Sequence, residues 1–262
     1  MLASATLSPA QSNRLHQFGC TRSVDVHCHV LPGLDDGPAN LTESLNLCQA
    51  LVEDGITDVI ATPHQLGRWD GANHPLEVRD SVSDLQSRIS NAKIALNVYP
   101  GAEVRLDERI PQMIGSGGVT TLADHGTYLL LELPHGFSPN PRTLVPYLTA
   151  AGTRIILAHA ERSDTLVTNW RTVEAWVGQG VALQINASSL MVPDARAEAA
   201  WSWLERGWVS LVASDAHGTG NRRPRMSEAL DLIVRELGTE TAQRVCIDNP
   251  ARVLDGLELV HD

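Results

Sequence analysis

Two histidines stand two residues apart in the run Asp25-Val26-His27-Cys28-His29, and a pair of carboxylates, Asp35 and Asp36, follows shortly after. An extended chain repeats every second residue, so His27 and His29 share one side and can turn two imidazoles onto one ion. Four more segments carry the same donor types: Thr62-Pro63-His64, Gly101-Ala102-Glu103, Ala158-His159-Ala160-Glu161-Arg162 and Ser214-Asp215-Ala216-His217. Together His27, His29, Asp36, His64, Glu103, His159, Asp215 and His217 offer imidazole nitrogen and carboxylate oxygen, a mixture suited to manganese, iron or zinc. These eight side chains are too many for one ion. Two or three divalent or transition metal ions are expected, with a carboxylate such as Glu103 bridging so that bare anions are not packed together.

The elements that must position these donors read as short apolar strands alternating with helical patterns. Strands are expected at 23–27, 57–61, 94–99, 128–133, 154–158, 181–185 and 209–213, and helices at 41–53, 75–91, 108–114, 142–151, 164–177, 194–205 and 224–237, followed by a helix-rich tail. The first helix has a cap at Asn40 or Thr42, an apolar stripe through Leu45, Cys48, Leu51 and Val52, and Gly55 as its stop. Alternation with short links predicts an α/β fold with a parallel sheet, a distorted (β/α)7 TIM-like barrel forming one domain over residues 24–262. Every donor cluster ends or follows a strand. In a β/α barrel the carboxyl-end face gathers residues distant in sequence into one site. Residues 1–23 form an extension to which no role is assigned.

Composition narrows the function. The 262 residues carry 20 Lys and Arg against 31 Asp and Glu, a net charge of −11, which argues against nucleic acid because a phosphate-backbone partner needs a basic face. Lys93 is the single lysine, so nearly all positive charge sits on arginine, the side chain that grips phosphate oxygens as a planar fork. A rival group of barrel hydrolases bridges its metals with a carboxylated lysine, but Lys93 precedes its strand and sits on the wrong side of the barrel. The four cysteines lack paired spacing and fit reduced thiols. Without an apolar leader or membrane-length run, the chain is expected to be soluble and cytoplasmic, with no membrane insertion.

Cys246 and Arg252 fit the C-x5-R spacing of cysteine-dependent phosphatases, whose loop cradles phosphate with backbone N–H groups. Pro250 lacks that donor, Asp248 repels a phosphate, and the loop has no glycine for close approach. A helix start at Asn249-Pro250, with Cys246 packed as a small hydrophobe, is the preferred reading. His16, His74, His125 and His261 read as surface or turn residues, whereas His135, just past the fourth strand, is a candidate for the mouth of the site. Trp69, in the loop 66–73, is a candidate aromatic wall, and Trp201, Trp203 and Trp208 read as packing residues.

The segments DVHCHVLPGLDDGP, TPH, GAEVRL, AHAER and SDAH, with DNPARVL at the tail, closely resemble the polymerase and histidinol phosphatase (PHP) family. LPGLDDGP followed by LVEDGITDVIATPH is similar to its CpsB/CapC-type branch of bacterial metal-dependent protein-tyrosine phosphatases, tied to capsule and exopolysaccharide synthesis. The resemblance implies one metal held by His27, His29, Glu103 and Asp215, a second shared through Glu103 with His159, and a third held by Asp36, His64 and His217. It also implies two phosphate-binding arginines, Arg162 and Arg222, although the loop 218–221 departs from the usual pattern and leaves Arg223 and Arg225 as alternatives. The implied chemistry is hydrolysis of a phosphomonoester by a metal-bridging hydroxide, with a metal or a protonated His217 or His64 assisting the leaving group. Implied partners are a phosphotyrosine protein, such as a bacterial tyrosine kinase, and a second copy of the chain. The PHP scaffold also hydrolyses small phosphate esters such as histidinol phosphate, which is the alternative expectation.

Overall fold

The computed structural model of the chain describes residue 18, residues 22–137 and residues 139–261. The extension 1–23, with His16 and Cys20, therefore falls almost entirely outside the described residues. Strands β1 (Val24–Cys28), β2 (Asp58–Ala61) and β4 (Asn97–Pro100) form one sheet in the order β1-β2-β4. Strands β3 (His64–Gln65), β5 (Glu103–Arg105), β6 (Tyr128–Glu132), β7 (Arg154–Leu157), β8 (Ala182–Asn186) and β9 (Val209–Ala213) form a second, in the order β3-β5-β6-β7-β8-β9. All neighbouring strands pair in parallel.

All seven expected strands are present, and two short ones, β3 and β5, prolong β2 and β4 beyond Thr62-Pro63 and Gly101-Ala102. The two sheets meet where His29 N–H donates to Ala216 O and Asp215 N–H to His27 O, each at 2.9 Å. That seam joins the end of β1 to the chain leaving β9, and so sets the first and last donor clusters side by side.

The helices are α1 (Leu41–Glu53), α2 (Pro75–Asn91), α3 (Ile110–Ser116), α4 (Pro141–Leu148), α5 (Asp164–Val167), α6 (Trp170–Val177), α7 (Ala195–Glu205), α8 (Met226–Leu237), α9 (Thr239–Gln243) and α10 (Asn249–Leu254). Asn40 caps α1, its side chain accepting from Glu43 N while Glu43 reaches back to Ala39 N and to the Asn40 amide. The single helix expected over 164–177 is two. Thr168 turns both its N–H and its hydroxyl onto Asp164 O, closing α5, and Asn169 leaves helical geometry at φ −138°. The helix expected over 142–151 ends as α helix at Leu148 and tightens into a 3₁₀ turn before Gly152 at φ 84°.

Strands buried on both faces read as continuous apolar runs because alternate residues serve different cores. Leu129, Leu131, Ile155, Leu157 and Leu183 pack with helix residues such as Leu47, Trp176 and Ile233. Their sequence neighbours Leu130 and Ile156 join Val24, Val26, Ile60 and Leu211 in a second cluster.

Cys246 lies in a π turn, Arg244–Asp248, leading straight into α10 with Pro250 in its first turn. It is 2 % exposed, and burial pushes its thiol up to about 12, so it is packing and not a nucleophile. Cys28 and Cys48 are likewise free and buried.

Candidate metal centre

At the end of β1, Nε2 of His27 and Nε2 of His29 lie 3.4 Å apart. Glu103 Oε2, from β5, is 3.3 Å from each, and Asp215 Oδ1, just past β9, is 3.5 and 3.6 Å from them. Four donor atoms from three remote segments thus face one point, at the separations of ~3 to 3.5 Å that ligands take around a small divalent ion. Glu103 turns its other oxygen to His159 Nε2 at 2.6 Å, so one carboxylate serves two sets of donors. On the other side, Asp36 Oδ1 lies 3.2 Å from His64 Nε2 and 3.4 Å from His217 Nε2, while His64 Nδ1 lies 3.1 Å from Glu103 Oε2. His29 and His217 stack with ring centroids 3.8 Å apart. All eight predicted donors are therefore in one cluster, as the overlapping sets His29-Asp36-His64-His217, His27-Glu103-His159 and His27-His29-Asp215.

The ring orientations are held from behind. His27 Nδ1 meets Gln184 Oε1 at 3.0 Å, His29 Nδ1 meets Asp35 Oδ2 at 2.6 Å, and His217 Nδ1 meets Asp215 O at 2.9 Å. Each contact places the ring proton on Nδ1 and frees Nε2 as a ligand atom, the arrangement by which outer partners orient metal-binding imidazoles. His217 Nε2 is buried with no hydrogen-bond partner among the described residues, as a lone pair reserved for an ion would be.

Charge makes the same demand. Burial raises the carboxyl of Glu103, but His27 and His159 beside it hold it well below the usual range. Burial also opposes ionisation of Asp215, and His27, His159, His29 and Arg222 outweigh it. In return, His29 is driven up to about 10 by Asp35 and Glu103, and His159 up to about 9 by Glu103, although burial works against both. Burial and the neighbouring His29 push His217 down to about 4. The acids require positive charge among the rings, which protons or metal cations can provide in competition. The donor chemistry fits manganese, iron or zinc.

The loop after β1 owes its shape to Gly37. A side chain there would put Cβ 2.4 Å from His29 O, so only glycine lets the turn fold back on the strand. Asp35 then accepts from Gly37 N at 2.9 Å and His64 N at 3.0 Å, and Asp36 swings outward, its side chain 40 % exposed. His159 and Asp215 hold φ at 29° and 51°, strain of the kind that clusters at functional sites.

Both predicted arginines reach the cluster. Arg162 Nη1 donates to Asp215 Oδ2 at 2.9 Å, and Arg222 Nη2 to the two Asp215 oxygens at 3.0 and 3.1 Å. Arg223 instead pairs with Glu228, and Arg225 turns to Met191, so neither hydrogen-bonds Asp215. A cavity of about 380 Å³ opens beside the donors, lined by Arg162, Arg222, His135 and Trp69 among others. Trp69 lies parallel to His64, with centroids 6.3 Å apart and planes 8° apart. His74 accepts from Leu76 N and His125 meets Leu254 O, both away from the cluster. Gln184, Asn186, Asp35 and Asp25 are the positioning groups that the donor motifs did not reveal. Gln184 also accepts from His159 N, and Asn186 donates to Asp215 Oδ2 at 2.8 Å. Asp25 ties Ser214, next to Asp215, to β1.

The chain is 32 % identical over 220 residues to the tyrosine-protein phosphatase YwqE of Bacillus subtilis, covering 83 % of this chain and 86 % of that protein. It is 28 % identical over 241 residues to the tyrosine-protein phosphatase CpsB of Streptococcus pneumoniae, covering 88 % and 98 %. Its fold superposes at TM-score 0.85, with 30 % identity over 91 % of this chain and 97 % of the other, on a structure described with the metal-dependent tyrosine phosphatases YwqE and CpsB. An organophosphorus hydrolase from Deinococcus radiodurans matches at TM-score 0.54 and 16 % identity over 88 % of this chain and 92 % of its own, a likeness of fold alone. Residues 23–255 match the model for capsular polysaccharide synthesis proteins of the CpsB/CapC type, and the chain belongs to that family.

Proposed function

We propose that this chain is a metal-dependent protein-tyrosine phosphatase acting in capsule or exopolysaccharide regulation. The observation that carries the reading is the convergence of His27, His29, Glu103 and Asp215 on one point, with Arg162 and Arg222 beside it. We assign one ion to those four donors, a second to Glu103 and His159, and a third to Asp36, His64 and His217, manganese being the first candidate. We read the two sheets as one distorted barrel whose carboxyl-end rim carries the site.

Divalent ions at such a centre supply Lewis acidity and charge neutralisation. Arg162 and Arg222 bind the non-bridging phosphoryl oxygens and hold phosphorus over the donors. Trp69 offers a flat wall for the tyrosyl ring, and His135 lines the same cavity. Asp36, His64 and His217 would hold an ion that neutralises charge on the departing oxygen. A phenol, with an ordinary pKa of ~10, leaves with little such help, which favours phosphotyrosine over phosphoserine. The physiological partner on this reading is a phosphotyrosine protein such as a cytoplasmic tyrosine kinase domain. No helix among the described residues is long and apolar enough to cross a membrane.

Turnover of matched phosphotyrosine and phosphoserine peptides by manganese-loaded protein tests the reading. A clear preference for phosphotyrosine, lost on chelation and retained after thiol alkylation, is expected. Equal kcat/KM for the two peptides, or activity indifferent to chelators, contradicts it.

A further inference from the structure

A second, smaller cavity of about 210 Å³ adjoins the first, and Arg162 and Arg222 line both. Its walls add Arg196 and Arg223, with Asn221 and Ser188 as neutral polar neighbours. Asp215 is the one carboxylate among its lining residues, and its oxygens are already taken up by Arg162, Arg222 and Asn186. Arg223 gives one nitrogen to Glu228 at 2.7 Å and another to Pro224 O at 3.4 Å. Arg196, exposed in the first turn of α7, enters no ion pair among the described residues. Four guanidinium groups thus line the hollow, Arg162 and Arg222 held by Asp215 and Arg223 by Glu228, which leaves Arg196 to take a further anion in a chain whose net charge is −11. Planar forks of this kind match the oxygens of phosphate and carboxylate groups.

We propose that this groove is a second anion subsite, which receives a carboxylate or phosphate on a residue flanking the phosphotyrosine of the same peptide. The inference rests on the phosphatase reading above and adds sequence preference to it. On this proposal a peptide whose phosphotyrosine occupies the first cavity extends past Arg196 and Arg223, since Arg162 and Arg222 line both cavities. The flanking anion binds the ground state and the transition state alike, so it lowers KM and leaves kcat unchanged.

The test uses metal-loaded full-length protein and four substrates: p-nitrophenyl phosphate, a phosphotyrosine peptide with neutral flanks, the same peptide with flanking glutamates, and one with a second phosphotyrosine. For the wild type, flanking anions should lower KM roughly 3- to 10-fold, an advantage that shrinks as salt rises. Arg196→Ala should remove much of that advantage and Arg196→Glu should reverse it, both leaving p-nitrophenyl phosphate turnover unchanged. Equal KM for neutral and acidic peptides, or an advantage that survives Arg196→Glu, overturns the proposal. If the groove serves free phosphate instead, inorganic phosphate will inhibit p-nitrophenyl phosphate hydrolysis less in Arg196→Glu than in the wild type, with no flanking preference, which also overturns it. Failure of the wild type to turn over any phosphotyrosine peptide defeats the phosphatase reading itself, whereas turnover with indifferent flanks defeats the subsite alone.

Discussion

Gln184 works from the interior of β8, where its one amide oxygen accepts both from His27 Nδ1 and from His159 N. It fixes the tautomer of one donor and the backbone of another at once. Replacing it by leucine leaves both groups buried without an acceptor, and outer partners of this kind typically govern metal affinity by ~10- to 100-fold. Gln184→Leu should therefore weaken manganese binding by about that factor in a calorimetric titration, and an unchanged affinity contradicts the assigned role. At this scale the donors themselves were legible, because histidine and acid recur where apolar runs stop. Gln184 was not, because it sits inside the expected strand 181–185, and Asn186 was not, because it follows that strand with no histidine or acid beside it. The available clue was their spacing of two, which places both on one strand face. Asp36 was named as the donor of its pair, but that Asp35 braces His29 was not legible, since it is decided by the turn at Gly37.

At the scale of elements, the site depends on two close approaches. Gly37 lets the loop after β1 fold against His29, and Gly101 lets β4 run on into β5, where a Cβ would lie 2.6 Å from Ile60 Cγ2. The obstacle at Gly37 is a backbone carbonyl, which cannot rotate away as a side chain can. Gly37→Ala should displace Asp35 and Asp36 together and lower kcat/KM more than ~10-fold, with far-ultraviolet circular dichroism unchanged. Wild-type kinetics from that variant would remove Gly37 from the account. The strands and most helices were readable because period and capping agreed, as at Asn40 and Glu43. The break between α5 and α6 escaped because Thr168 and Asn169 are tolerable within a helix; the competing bonds from Thr168 to Asp164 O appear only in three dimensions. β3 and β5 are too short to register as periodic runs.

Across the whole molecule, the site is held in place by contacts far from any donor. Asp54, at the end of α1, accepts from Met226 N and from the backbone and hydroxyl of Ser227, and so fixes the first turn of α8 behind the loop that carries Arg222. Burial pushes its carboxyl up to about 6 from an ordinary 3.8. The folded protein then holds this proton more tightly than the unfolded chain does. Stability from the group is fully present below about pH 4 and is lost as pH rises through about 6. In urea unfolding, the stability of the wild type relative to Asp54→Asn should fall by on the order of 2 kcal/mol between about pH 4.5 and 7.5. A difference that does not vary with pH contradicts the assignment.

The central claim is that donors spread from His27 to His217 form one polynuclear metal centre. Anomalous diffraction from crystals grown with manganese tests it most directly. Two or three peaks within ~2.0 to 2.4 Å of the named nitrogens and oxygens, with Glu103 between two of them, are predicted. Peaks elsewhere, or none in the cluster of a protein that is active, would contradict it.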